Sequence, residues 1–224
     1  MRVKVLLALL CISLPWTSLR AATLQVSGDF EPQSPLVPYI DYRDKTYTIV
    51  YGLAGRLDTG NGPVILTQFG IYGAGTKDGA VGRWVVFKEG QTQSPVYWSE
   101  EVLINASDPQ WLDSPALRLN LAPNTTYWLA LSTASRNGSH FRGYGVKEGA
   151  TALSGGGVTL PGDAEGDNIR AIAHAYFDPR LAIYLDRAQQ LAFRVTVIPE
   201  PGLALLIAGP ALWGLGRRRG RETS

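Results

Sequence analysis

Residues 117–131 read LRLNLAPNTTYWLAL and carry the plainest structural signal in the chain. Leu117, Leu119 and Leu121 alternate with polar residues, and Tyr127, Leu129 and Leu131 alternate with Trp128 and Ala130. Side chains two apart share a face of a strand, so each run has the pattern of a strand with one buried face. Ala122, Pro123 and Asn124 supply turn residues between them. The spacing predicts a β-hairpin.

Working outward, short β-branched and aromatic runs separated by Gly, Pro, Asn and Asp recur across the middle of the chain. They predict strands at 46–51, 64–72, 81–88, 96–104, 116–121, 125–133, 169–177, 182–185 and 190–197. The best helical stretch, 181–194, places Ile183, Leu185, Leu191 and Phe193 at spacings that suit alternation at least as well. The expected class is therefore all-β, a β-sandwich of jelly-roll type. Residues 31–38, with three prolines, read as a linker. Ser154, Gly155, Gly156 and Gly157, with 161–168, read as one long flexible connection and the best place in the middle for function.

The ends differ from the middle. Of the 21 bases, three lie in the first 21 residues and four in the last 26; of the 19 acids, two lie in the last 26, so the middle carries a net charge of −3. Its bases are scattered singly, which gives no footprint for nucleic acid. Arg2 and Lys4 followed by an apolar run at 5–14 form a secretory signal, with cleavage expected near Ala21 or Ala22. Cys11, the only cysteine, lies inside that signal, so the exported domain contains no disulfide. Residues 22–198 are the expected extracellular domain.

Residues 199–224 form a tail: Pro199, Glu200 and Pro201, then fifteen uncharged residues at 202–216, then Arg217, Arg218 and Arg219. A helix over the apolar stretch spans about 22 Å, short of the roughly 30 Å hydrocarbon core. The arginines are expected on the cytoplasmic side, which leaves the domain outside. Such a stretch suits a transient stop in the inner membrane better than a permanent anchor.

The ordered combination of a Pro-Glu-Pro triplet, a short apolar helix and terminal arginines resembles the PEP-CTERM sorting signal of Gram-negative bacteria. The resemblance implies delivery by the Sec export machinery, then recognition at Pro199, Glu200 and Pro201 by an exosortase, a membrane cysteine protease. It also implies an exopolysaccharide or biofilm setting at the cell surface or in the matrix. Pro210 within the apolar stretch departs from the family's usual composition. Residues 119–131 also look like a strand pair of the choice-of-anchor surface domains, a likeness that implies an extracellular β-sandwich and transfers no catalytic residues.

Several residues invite chemical readings. Asp163, Glu165 and Asp167 alternate around Gly166 and offer oxygen ligands for calcium, although not at EF-hand spacing. Asp58-Thr59-Gly60 matches the triplet that supplies an aspartic-protease carboxylate, but such enzymes need two copies and the chain has one, in a stretch that also suits a loop between strands. His140 and His174 come without a nucleophile elbow or a zinc-binding motif. Trp84, Trp98, Trp111 and Trp128, with Tyr42, Tyr72, Tyr97 and Tyr144, offer either core packing or sugar-stacking platforms. Trp111, flanked by Asp108, Pro109, Asp113 and Pro115, is expected in an exposed loop and is the preferred ligand contact. The sequence thus leads to a non-enzymatic, exported structural or carbohydrate-binding protein. An extracellular hydrolase on the same scaffold is the alternative.

Overall fold

The computed structural model describes residues 20–32, 49–75, 80–91, 94–104, 106–134, 141–147, 149–162, 169–175, 182–187 and 190–200. Among these there is no helix, and hence none long and apolar enough to cross a membrane. In chain order the strands are β1 (Ala22–Gln25), β2 (Phe30–Pro32), β3 (Ile49–Thr59), β4 (Val64–Gly75), β5 (Ala80–Lys88), β6 (Tyr97–Trp98), β7 (Val102–Ile104) and β8 (Gln110–Asp113). They continue with β9 (Leu119–Leu121), β10 (Thr126–Ala134), β11 (Phe141–Val146), β12 (Leu153–Gly155), β13 (Val158–Leu160), β14 (Ile169–Ala175), β15 (Ala182–Arg187) and β16 (Phe193–Pro199).

These strands build two antiparallel sheets. The seven-stranded sheet runs β1-β16-β4-β11-β2, with β8 and β9 also on β4. The nine-stranded sheet runs β12-β13-β3-β10-β5-β6, with β7 on β5 and the β14–β15 pair on β3. Leu57, Trp84, Leu129 and Leu131 from one sheet share a buried cluster with Leu66, Phe69, Ile71, Phe193 and Val195 from the other. Phe69 meets Trp84 across the gap edge to face, with ring centroids 5.1 Å apart. This shared core is the packing of a β-sandwich.

The expected hairpin at 117–131 does not form. β9 pairs with β4 in one sheet and β10 with β3 and β5 in the other, so residues 122–125 cross between sheets. Alternation tells which face of a strand is buried and is silent on the neighbour. Leu121 and Leu129 reach the same core from opposite sides. The Tyr127 hydroxyl pins the crossing by accepting the Ala122 N–H at 2.9 Å.

Other departures have equally local causes. The expected strand 96–104 divides into β6 and β7, because the Ser99 hydroxyl takes the Trp84 N–H at 2.9 Å where a regular ladder would continue. β3 reaches Thr59, beyond the expected 46–51, with Asp58 held by Arg56 at 2.9 Å. The three glycines read as a flexible link are a tight hairpin instead: Gly155 pairs with Val158, leaving Gly156 (φ 59°) and Gly157 (φ 82°) as a two-residue turn. Two left-handed residues in succession match the twist of the flanking strands, and glycine adopts them without penalty. Glu31 and Pro32, the first two residues of the expected linker, belong to β2, and Pro32 fits it because β2 is an edge strand.

Tyr97 on β6 packs against the core, and burial pushes its phenol above the ordinary tyrosine value. The folded protein then keeps this proton to higher pH than the unfolded chain. Its contribution is intact below about pH 10 and is lost as pH rises toward the folded value. Unfolding measured across alkaline pH should show a falling midpoint whose slope is reduced in Tyr97→Phe. An unchanged slope would mean that other groups drive the loss.

A candidate binding face on the seven-stranded sheet

The outer face of the seven-stranded sheet owes its composition to one irregularity. Between β4 and β16 the register shifts at Thr196/Val197, and Thr67 is the extra residue. Leu66 and Phe69, three apart, therefore both face the core. Without this bulge, strict alternation would turn Gly70 and Tyr72 inward. With it they face outward.

Gly70 stands opposite Arg194 on one side and Asp113 on the other, and Arg194 stands opposite Gln25. Gln25, Arg194, Gly70 and Asp113 thus form one row across four strands. Arg194 Nε donates to Asp113 Oδ1 at 2.8 Å, Nη2 donates to Oδ2, and Nη1 donates to Gln25 Oε1 at 3.3 Å. The fork bridges β4 only because Gly70 has no side chain. A Cβ there would lie 2.3 Å from Asp113 Oδ1 and 2.8 Å from the Leu112 carbonyl oxygen. The Arg194 and Asp113 side chains keep 27% and 35% of their surface in solvent, so the pair is a positioning device more than a source of stability.

Beside this row lies an aromatic group. Trp111 is opposite Tyr72 in the β4–β8 ladder, with centroids 5.5 Å apart. Tyr72 also meets Phe30 at 5.0 Å and Tyr144 at 5.6 Å, and Phe30 meets Trp111 edge to face at 6.2 Å. The Arg194 guanidinium sits over the Trp111 ring at 4.8 Å. All four rings are half-buried. Half-buried rings beside charged and amide side chains suit a ligand that presents both C–H surface and hydroxyls.

Trp111 therefore belongs to a strand, β8, and not to the exposed loop expected for it; Arg194 lies over its ring and Tyr72 packs against it. Of the remaining aromatic candidates, Trp84 is core. Trp128 is buried on the outer side of the nine-stranded sheet with Val85, Phe87 and Ala130, its indole N–H donated to Glu89. Trp98 lies under Arg83, 5.4 Å from guanidinium carbon to ring centroid. Tyr72 and Tyr144 join Trp111, and Phe30 and Arg194 complete the group. Nothing local to Phe30 or Arg194 marks them, since only the ladder brings residues 30, 72, 111, 144 and 194 together.

Other expected sites are placed differently. Asp163, Glu165 and Asp167, His140 and Tyr42 lie outside the described residues, as do Pro201, Arg217, Arg218 and Arg219. Among the described residues no three His, Cys, Asp or Glu side chains gather as metal ligands. Asp58 lies in β3, ion-paired with Arg56 and accepting the Thr126 hydroxyl at 2.6 Å. The Thr59 hydroxyl donates to the Ala122 carbonyl at 2.7 Å and accepts the Thr125 N–H at 2.9 Å. Asp58 and Thr59 are thus both engaged in holding strands. A cleft of about 420 Å³ opens near Asp29, Lys147 and Gln190, but the buried Gln190 amide already donates to the Pro161 carbonyl at 2.7 Å.

No family model, curated protein or solved structure matches the chain. The class that its own residues define is an all-β protein of two packed antiparallel sheets, with an aromatic and ion-paired outer face.

Proposed function

We propose that the protein is exported through the inner membrane, sorted by an exosortase acting on its tail, and binds polysaccharide at the cell surface or in the extracellular matrix without catalysing a reaction. Support for export and sorting comes from the sequence: the signal at 1–21, the triplet at Pro199, Glu200 and Pro201, the apolar helix expected at 202–216 and the arginines after it. The jelly-roll connectivity belongs to the same reading. The observation that carries the binding role is the Phe30, Tyr72, Trp111 and Tyr144 group beside the Arg194–Asp113 fork. Because Asp113 balances Arg194, the face suits neutral sugar units better than strongly acidic ones.

The test is co-sedimentation and affinity electrophoresis of the secreted protein with exopolysaccharide from the producing strain. Trp111→Ala should weaken binding by about tenfold or more, the effect of losing roughly 1.4 kcal/mol or more of stacking and cation–π contact. Its melting temperature serves as a fold control. Undiminished binding by a folded Trp111→Ala protein would remove this face from the function.

A further inference from the structure

The two ends of the described domain meet at one corner. β1 starts at Ala22 and lies antiparallel to β16, with Ala22 opposite Val197. The turn of the β12–β13 hairpin closes over them: a Cβ on Gly156 would stand 2.7 Å from Val197 Cγ2 and 2.8 Å from Ala22 Cβ. Gly157 accepts the Gly60 N–H at 2.8 Å, which ties the turn to the loop entering β4.

β16 does not stop before the sorting triplet. Pro199 is paired opposite Val64, and the Glu200 N–H donates to the Pro63 carbonyl at 3.0 Å. Both residues are half-buried. Pro199 thus belongs to the sheet, and Glu200 is tied by its backbone to the chain entering β4.

We infer that the peptide bond broken when the tail is removed lies C-terminal to Glu200, and that the folded corner protects the Pro199–Glu200 bond. The inference rests on the sorting reading above. Proteases act on chain that has left its secondary structure, and cleavage inside a paired segment requires a local opening first. Cutting at Pro199–Glu200 would require breaking the Glu200–Pro63 hydrogen bond and peeling Pro199 from β4. The net reaction is amide hydrolysis: the C–N bond breaks, the hydroxyl of water ends on the carbonyl carbon, and the departing nitrogen takes the proton. The released domain then ends at Glu200 or beyond, beside its own N-terminal strand.

The test uses the full chain, purified in detergent from a host without a sorting protease, and a proline-specific endoprotease as the probe. Two bonds report, Pro199–Glu200 and Pro201–Gly202. In the folded protein the second should be cut about tenfold faster or more, and denaturant should abolish the difference. Equal rates in the folded protein would overturn the protection. A second arm reads the C-terminal mass of the protein released by the producing bacterium. An end at Glu200 or later supports the inference, and an end at Pro199 or earlier overturns it while leaving sorting intact. Released protein that still carries Arg217, Arg218 and Arg219 would instead overturn the sorting reading itself.

Discussion

Gly156→Val should destabilise the protein by about 2–5 kcal/mol, which combines the left-handed backbone penalty of roughly 1–2 with an overpacking cost of about 1–3. The position has φ 59°, and its missing side chain would collide with Val197 and Ala22. Gly149→Val separates the two contributions, because Gly149 also has a positive φ (72°) but has nothing within 4 Å of a would-be Cβ. Urea unfolding followed by tryptophan fluorescence should show a large drop in midpoint for Gly156→Val and a smaller one for Gly149→Val, with similar m-values. Equal drops would mean that the hairpin turn does not hold the terminal strands. The same substitution should speed proteolysis at Pro199–Glu200, since it loosens the strand that precedes this bond.

What the sequence revealed and what it hid follow from the range of each interaction. Period-two alternation is local, and it located β4, β5 and β10 to within a few residues. Partner choice is not local, and so alternation and turn residues alone predict β9 and β10 as neighbours although they lie in different sheets. Gly155, Gly156 and Gly157 illustrate an ambiguity of composition: glycine permits both flexibility and a tight left-handed turn, and only the flanking pairs Leu153–Leu160 and Ser154–Thr159 decide between them. The binding face shows the same limit. Trp111, Tyr72 and Tyr144 stand out as aromatic, but their meeting depends on the bulge at Thr67 that turns Tyr72 outward. Arg194 completes the face from 81 positions away from Asp113.

The crossing from β9 to β10 carries the second large effect. Thr59→Val should cost about 2–3 kcal/mol, because the nearly buried hydroxyl is the partner of the Thr125 N–H and of the Ala122 carbonyl, and valine offers neither bond. Thr59→Ser, which keeps the hydroxyl, should recover most of that loss. Tyr127→Phe should cost about 1–2 kcal/mol by leaving the Ala122 N–H without the phenol oxygen. Both side chains hold the same short connection, which the Asn124 N–H also ties to the Gly60 carbonyl at 2.8 Å. Once either is lost the connection relaxes, so the double variant should cost less than the sum of the singles, with a coupling of about 0.5–3 kcal/mol in a double-mutant cycle. Strict additivity would mean that Thr59 and Tyr127 brace independent parts of the crossing. Asp58→Asn provides the contrast: its partly exposed pair with Arg56 should be worth less than about 1 kcal/mol. In the Asp58-Thr59-Gly60 motif the threonine therefore carries the structural weight, by anchoring the connection through which residues 117–131 supply strands to both sheets.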